Sequence, residues 1–416
     1  MKENKKKLSQ AMLFIILFGI VSLFSDMTHE GASSIRGAYL SLLGASAATI
    51  GFVSGLGELI GYSMRYVFGK LTDKTKHYWP MTILGYILDV LAVPALALVG
   101  EHGWIAACAL LVIQRMGKAI KKPAKDTIMS FAASQEGVGK SFGIQEVLDQ
   151  IGAFLGPALL YLVMLFKTDG TTFEVYSTCF AVLAIPGVVT LMLLIITRYK
   201  FPNPEHFEPE TKEYIPFKMK KEFVLYIAGI SLFAFGFIDY SIIIMHVSRT
   251  YAHLSSGLAE TGSLVTTGPL PLLYAGAMLV DAVAALVFGL MYDKLGVRAL
   301  VWSTLISAPF AVFVFMFDSV PMLLLGVALW GVGMGAQESI LKAAVTSMVP
   351  KTSRATGYGI FECSFGAFWF LGSWLLGVLY DVSIPAMVAV SVAAQLAAIP
   401  LYIASSRLRK KQAEQS

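Results

Sequence analysis

Acidic and basic residues recur inside long apolar stretches of this sequence, often at spacings that place two of them on one helical face. Asp26 and Glu30 are four residues apart, as are Glu338 and Lys342, and residues three, four or seven positions apart share one side of an α-helix. A carboxyl group in apolar surroundings favours its neutral form, whereas a nearby Lys or Arg favours the charged form. The chemistry that this pattern predicts is proton uptake and release, together with ion pairing.

Twelve residues share this setting and are the candidates for proton coupling or for lining a polar cavity. They are Asp26, Glu30, Glu58, Arg65, Arg115, Lys118, Glu146, Asp149, Asp239, Asp281, Glu338 and Glu362. Each would cost about 2.5 to 3.5 kcal/mol if it faced lipid at the centre of a membrane helix, so we expect these side chains to face one another or water. Arg115 is expected to pair with Glu146 or Asp149, either as a movable proton-coupling pair or as a structural salt bridge.

Other chemistries have little support in the sequence. No nucleotide-binding loop, zinc-protease motif or catalytic-triad spacing occurs, and Cys108, Cys179 and Cys363 are isolated in apolar stretches. The basic residues form short clusters between apolar stretches rather than one continuous surface. We therefore expect no enzymatic activity, no cofactor, no metal site and no nucleic-acid partner.

The composition indicates a membrane protein. Hydrophobic residues make up 56% of the chain and charged residues 14%, and the mean hydropathy is +0.69, which exceeds what a soluble domain can bury. A helical span needs about 20 apolar residues. Twelve such stretches lie near residues 10–29, 46–69, 79–99, 103–122, 142–166, 174–197, 222–246, 269–291, 299–317, 320–346, 355–379 and 384–406. We number them spans 1 to 12.

A segment rich in proline and charge separates the sixth span from the seventh. It carries four prolines between Arg198 and Lys221, so it is interpreted as a linker. The predicted fold is an all-α membrane protein of twelve transmembrane helices in two pseudo-symmetric six-helix bundles. The domains are residues 1–200, the linker 201–221, and residues 222–416. The first stretch is kept as a span rather than a signal peptide because no small-residue cleavage site follows it.

Lys and Arg are distributed unevenly between the two sides of these spans. Nearly all basic residues of the tails and loops fall on the side of the N-terminus, whereas only Arg36, Lys167 and Arg249 fall on the other side. Basic loops mark the cytoplasmic side. We expect a multi-pass protein of the cytoplasmic (inner) membrane, with both termini in the cytoplasm and residues 248–269 outside.

The end of span 4 is unusually basic. Lys121, Lys122 and Lys125 surround Pro123, which is expected to end the helix. The three lysines are therefore interpreted as topology signals that contact anionic lipid at the membrane rim. Tyr240 and the phenylalanines before it could line a cavity, although aromatic residues in membrane helices more often serve packing.

The two halves of the sequence resemble each other. Gly143 aligns with Gly359, and Glu146 with Glu362, at an offset of 216 residues, and the segment GKLTDK from Gly69 aligns with GLMYDK from Gly289 at an offset of 220. Such internal similarity indicates a duplicated six-helix unit, as in many transporters.

Two motifs make the chain resemble the major facilitator superfamily along essentially its whole length. The loop motif between spans 2 and 3 is matched by Gly69, Leu71, Asp73 and Lys74, with a degenerate copy at Gly289, Asp293 and Lys294. The span 5 motif of proton-coupled exporters is matched by Gly152, Gly156 and Pro157, whereas its downstream glycine pair is replaced by Leu160 and Tyr161. In span 4 the family has Arg followed four residues later by Gly, whereas this chain has Arg115 and Gly117.

The resemblance implies that Gly69, Asp73, Lys74, Gly152, Gly156, Pro157 and Asp293 form conformational gates. Gly69 would allow a tight exit from span 2, and Asp73 would act as a latch at a helix end. The family fold places spans 3, 6, 9 and 12 outermost, and these are poor in charge, with Asp89 the one such residue of span 3.

The function that follows is secondary active transport of a small solute by alternating access, with proton-coupled export (antiport) favoured by the span 5 motif. The alternative is a proton-coupled uptake symporter for a nutrient, and a non-transporting receptor is a weaker third reading. The expected partners are the lipid bilayer, a small-molecule substrate and protons, and the expected state is a monomer.

Overall fold

The computed structural model describes residues 9–136, 138–167, 169–203, 219–257, 270–349 and 354–415, and these residues contain helices but no strand. The first half comprises α1 (Gln10–Leu42), α2 (Ala47–Thr75), α3 (Tyr78–Ala95), α4 (Trp104–Glu136), α5 (Val138–Phe166), α6 (Thr172–Val182) and α7 (Ala184–Lys200). The second half comprises α8 (Lys221–Gly236), α9 (Tyr240–Gly257), α10 (Leu270–Leu295), α11 (Arg298–Ser307), α12 (Phe310–Phe315), α13 (Val320–Met348), α14 (Arg354–Val382) and α15 (Ile384–Gln415).

These helices form twelve spans, because α6 with α7, α8 with α9, and α11 with α12 each make one interrupted span. Ten helical segments of the described chain are long and apolar enough to cross a membrane. The other two, α2 and α4, have 29 and 33 residues, which exceeds the roughly 20 that a span needs, but they carry more charge. The prediction of an all-α membrane protein with twelve spans is confirmed.

Each half forms its own bundle. In the first, α1 packs along α5 and α3 along α4; in the second, α8 packs along α14 and α15, and α10 along α13. The bundles meet mainly through α2 with α14, α5 with α10, and α1 with α9. The first interface joins spans 2 and 11, and the second joins spans 5 and 8. Shifting each span number by six converts one pair into the other, so the internal repeat relates the two interfaces.

Polar side chains fix several helix starts. Ser46 accepts a hydrogen bond from the backbone N–H of Thr49 at the start of α2. Thr171 and Glu174 form a capping box at the start of α6, in which each side chain accepts from the other residue's backbone N–H. These caps satisfy N–H groups that have no partner within the helix.

We call the membrane side that holds the start of α1 and the end of α15 the terminal face, and the opposite side the distal face. The bundles are in close contact at the distal face. A Cβ atom on Gly37 would lie 1.8 Å from the carbonyl oxygen of Ser241, and one on Gly51 would lie 2.1 Å from that of Ser373, so only glycine permits this backbone approach. The carboxylate of Asp381 also accepts hydrogen bonds from the first backbone N–H groups of α2, at 3.3 and 2.9 Å.

Two basic residues expected in distal loops lie in helices instead. The first helix extends to Leu42 rather than ending near residue 29, so Arg36 is buried within α1. Arg249 is half-buried in α9 and donates a hydrogen bond to the Ser41 hydroxyl at 2.8 Å. Of the three basic residues counted on that side, Lys167 alone remains in a loop.

Two helix ends expected from the sequence are also wrong. α4 continues through Pro123 to Glu136. Gly69 does not provide an exit from a helix, because α2 continues to Thr75, and the whole motif from Gly69 to Lys74 is helical. A Cβ on Gly69 would make only ordinary contact with Pro123, at 3.7 Å. The side chain of Asp73 lies outside the described residues, so its latch role stays a prediction.

Candidate functional site

A row of polar side chains on α4 forms the centre of the site. Arg115, Lys118, Lys121 and Lys125 recur every three or four residues, and Gln114 lies four residues before Lys118, which places these side chains on neighbouring faces of one helix. Their contacts are with α1, α2 and α3, so the row points into the first bundle.

Lys121 and Lys125 are buried, which contradicts their interpretation as rim contacts to lipid. Lys121 forms an ion pair with Asp89 of α3, donates to the Ser25 hydroxyl at 2.9 Å and lies 4.0 Å above the Tyr86 ring. Lys125 donates to Ser22 at 2.6 Å. The helix does not end at Pro123, so both lysines stay inside the bundle.

Asp89 and its neighbours form a continuous hydrogen-bonded network. Gln114 donates to Asp89 at 2.7 Å and also contacts His29 of α1. His29 lies 3.5 Å from Glu30, and Glu30 accepts a hydrogen bond from Tyr274 of α10 in the second bundle. The network therefore extends from α3 through α4 and α1 to the other bundle.

Arg115 pairs with Glu58 of α2, at 2.8 Å between Nη2 and Oε1. The expected partner was Glu146 or Asp149, and that expectation is wrong for this structure. Both side chains of the pair keep some exposure, 13% for Arg115 and 17% for Glu58. A guanidinium group can donate two parallel hydrogen bonds to a carboxylate, which favours a fixed geometry for this ion pair.

Three predicted site residues are brought near one another without direct bonds. Asp26 of α1 lies within electrostatic range of Asp149 of α5 and of Lys118 and Lys125 of α4. Within the described residues, neither Asp26 nor Lys118 makes an ion pair or a hydrogen bond, and one buried carboxyl oxygen of Asp149 also has no partner. Such groups are costly inside a membrane unless they gain a proton, water or a ligand.

Two ion pairs between described residues link the bundles. Arg65 of α2 lies 3.5 Å from Glu362 of α14, and its guanidinium lies 4.6 Å above the Tyr62 ring. Arg36 of α1 lies 3.8 Å from Asp239. Arg36 is nearer the distal end of its helix, and Arg65 is nearer the terminal end of α2, so the two pairs lie at different depths.

Span 7 is interrupted beside Asp239, between Gly236 and Tyr240. Asp239 accepts a hydrogen bond from the backbone N–H of Ser241 at 2.8 Å, which caps the start of α9. The Ser241 hydroxyl in turn accepts from Arg36 at 2.9 and 3.1 Å.

The carbonyl groups that the interruption leaves free are satisfied by side chains of other helices. Gly236 accepts from Ser391 at 2.6 Å and from Gln395 at 3.2 Å, and Ile238 accepts from Trp330 at 3.0 Å. Irregular backbone at membrane depth is tolerated only with such partners. Tyr240, Phe233 and Phe237 are buried in the apolar core, so packing is their evident role.

The glycines of the span 5 motif bring α5 against α1. A Cβ on Gly152 would lie 2.3 Å from the carbonyl oxygen of Leu23, and one on Gly156 would lie 2.3 Å from that of Met27. Pro157 lies inside α5. This close packing is what holds Asp149 beside Asp26.

The remaining predicted residues are less well assembled. Asp281 of α10 is buried, and its Oδ1 atom has no hydrogen-bond partner among the described residues. Glu338 is half-buried, whereas Glu146 and Asp293 are exposed. No group of three His, Cys, Asp or Glu residues in the described part of the chain is placed to hold a metal.

Several residues of the site were missed by the sequence analysis. Asp89 was set aside because span 3 was expected to face lipid, and Arg36 was assigned to a loop. Lys121 and Lys125 continue the three- and four-residue spacing of Arg115 and Lys118. This spacing indicates that the four side chains lie on one side of α4, and it could have predicted the burial of the two lysines.

Two homologous bundles joined by ion pairs, with a polar network between them, define a membrane transporter. The family model of the Major Facilitator Superfamily matches residues 8–280 and 266–416, and the chain belongs to this family.

Relatives and solved structures agree with this assignment. An uncharacterised protein of Mycobacterium tuberculosis is 35% identical over 402 residues, covering 95% of this chain and 93% of the relative. An uncharacterised MFS-type transporter of Methanocaldococcus jannaschii is 26% identical over 386 residues, covering 92% and 91%. The crystal structure of the nucleoside transporter NupG superposes with a TM-score of 0.73 at 14% identity, covering 96% of this chain and 100% of that one.

Proposed function

We propose that the protein is a secondary active transporter that exports a small organic solute in exchange for protons. The observation that carries the proposal is the set of Asp26, Asp149 and Lys118, three ionisable groups that make no ion pair or hydrogen bond with the residues that the structure describes, whereas Arg115 and Lys121 of the same bundle are paired. A transporter that moves protons needs a carboxyl group whose charge changes between conformations.

Contacts at the distal face support alternating access. The close approach at Gly37 and Gly51 and the Asp381 cap hold the bundles together there. Away from the distal face, the side chains of Glu30 and Glu362 remain 19% and 26% exposed. In our proposal this conformation admits water and solute from the terminal face, and rocking of the bundles opens the distal face.

The coupling step follows from elementary electrostatics. When water reaches Asp26, its charged form is solvated and is attracted by Lys118 and Lys125; when the cavity closes, desolvation favours the neutral acid. Solute and proton then compete for the same polar groups, which is the requirement for exchange. A solute or a proton shifts the balance between the two conformations only to the extent that it binds one of them more tightly than the other.

Vesicle transport tests this proposal. The purified protein is reconstituted, and accumulation of a panel of labelled solutes is measured with the lumen at lower pH than the bath. Accumulation driven by an acidic lumen is expected for antiport. Asp26→Asn should abolish the pH-driven part while gradient-free solute exchange continues, and Asp126→Asn, which removes a carboxylate of α4 that is 40% exposed, is the matched control.

A proton-coupled uptake symporter is the second candidate, favoured by the loss of the downstream glycine pair at Leu160 and Tyr161. It would accumulate solute only when the lumen is alkaline. No solute movement in either direction, with folded protein in the vesicles, would contradict both forms of the proposal and favour a receptor.

The orientation is also proposed here. Terminal-face loops carry the basic residues, and Lys167 is the one that remains in a described distal loop, so both chain ends are placed in the cytoplasm. The membrane is the cytoplasmic membrane, and the transport unit is one chain, because both bundles and their interface belong to a single polypeptide.

A further inference from the structure

A basic groove lies on the terminal face of the second bundle, away from the polar network. Its volume is about 600 Å³, and it is formed where the turn between α10 and α11 meets the end of α15. Four basic residues line it, Lys294, Arg298, Arg409 and Lys410, with a single acid, Asp293. The formal charge of the lining is therefore strongly positive.

The groove is continuous with an apolar helix face. Along α10, Leu279, Val283, Leu286 and Leu290 are exposed by 60%, 56%, 72% and 68%. Leu286, Leu290 and Lys294 are four residues apart, so one face of the helix runs from this apolar stripe directly into the groove. At the same end of α10, Leu295 is 42% exposed.

We propose that this groove binds the phosphate headgroup of an anionic phospholipid, whose acyl chains lie along the exposed stripe of α10. Charge complementarity selects the headgroup: Lys and Arg at the membrane surface attract acidic lipids, and Arg binds phosphate through paired N–H donors. The position at the ends of three spans sets the groove at headgroup level, while the stripe needs an apolar occupant in the adjoining membrane layer. A soluble anion would contact the groove alone, whereas a phospholipid contacts both the groove and the stripe.

The turn itself explains why the groove is open. Gly296 has a positive φ of 58°, a conformation that glycine adopts without strain, and it lets the chain reverse within two residues between α10 and α11. The exposed side chains of Lys294 and Arg298 stand on either side of this turn. The Tyr292 hydroxyl accepts a long hydrogen bond from Arg409 at 3.5 Å, and this bond holds the Arg409 guanidinium at the wall of the groove.

Lipid binding to the purified full-length protein tests the inference. Native mass spectrometry measures retained lipid, and thermal unfolding measures stabilisation, after addition of phosphatidylglycerol, phosphatidylcholine of the same chains, or inorganic phosphate. We expect phosphatidylglycerol to be retained and to raise the unfolding temperature, with little effect of the other two. Lys294→Gln with Arg298→Gln should weaken phosphatidylglycerol binding about thirtyfold, since each basic residue contributes about 1 kcal/mol.

Two further double variants make the result specific. Arg198→Gln with Lys200→Gln removes two exposed charges from the same face at the end of α7, outside the groove, and should leave binding unchanged. Lys294→Arg with Arg298→Lys keeps the charge and should retain it. Equal loss in the α7 variant, equal binding of phosphatidylcholine, or the same stabilisation by inorganic phosphate would overturn the proposal.

Discussion

Arg36 and Asp239 lie 3.8 Å apart, and through them α1 of the first bundle is tied to the interruption of span 7 in the second. Both side chains are buried, and the Ser241 hydroxyl completes the contact by accepting two hydrogen bonds from Arg36. This ion pair is therefore part of the closure of the distal face.

Breaking that pair should open the distal face. Asp239→Asn leaves Arg36 buried without its anion, and removal of one partner of a buried pair costs about 3 to 5 kcal/mol in the conformation that contains it. The balance should move toward the opposite conformation. Ser373→Cys, a buried position facing Gly51, should then react faster with a thiol reagent, whereas Asp126→Asn should not change that rate.

Gly156→Ala should lower the thermal stability of the protein. Its Cβ would lie 2.3 Å from a backbone oxygen of α1, so the helices must separate, at a cost of about 2 kcal/mol. Gly276→Ala is the control, since its Cβ meets nothing within 4 Å and alanine favours a helix. Unfolding followed by the reactivity of the buried thiols Cys108 and Cys179 measures both. Equal stability of the two variants would contradict the close-packing argument.

Asp89→Asn should destabilise the first bundle, because it leaves Lys121 charged and buried; the expected loss is about 3 kcal/mol or more. The half-exposed pair of Lys122 and Asp126, 3.6 Å apart, is the comparison, and Asp126→Asn should cost less than about 1 kcal/mol. Combining Asp89→Asn with Lys121→Met should recover part of the loss. Chemical denaturation in detergent gives these differences, and no recovery in the double variant would count against the pairing.

Cysteine labelling in intact cells tests the proposed orientation. Glu101 is exposed in the distal loop between α3 and α4, and His77 is exposed in the terminal-face loop between α2 and α3. A membrane-impermeant maleimide should label Glu101→Cys and should reach His77→Cys only after the cells are opened. The reverse pattern would place both chain ends outside.

The sequence by itself determined the membrane class, the number of spans and the internal repeat. The thickness of the bilayer sets the length of each apolar stretch, and aligning the two halves shows the duplicated segments around Glu146 and Glu362. Both features can therefore be recognised without coordinates. It also predicted that ionisable residues such as Glu58 and Arg115 must avoid lipid.

The tertiary structure decided which charges meet. Arg115 pairs with Glu58 rather than Asp149, and Lys121 with Asp89, because partners on different helices depend on helix rotation and depth. One residue of helix rotates a side chain by about 100°, so small uncertainties in rotation change the partner. The interruption at Asp239 likewise depends on donors such as Trp330 and Ser391 from distant helices, since free carbonyl groups in a membrane are stable only when the fold supplies their hydrogen bonds.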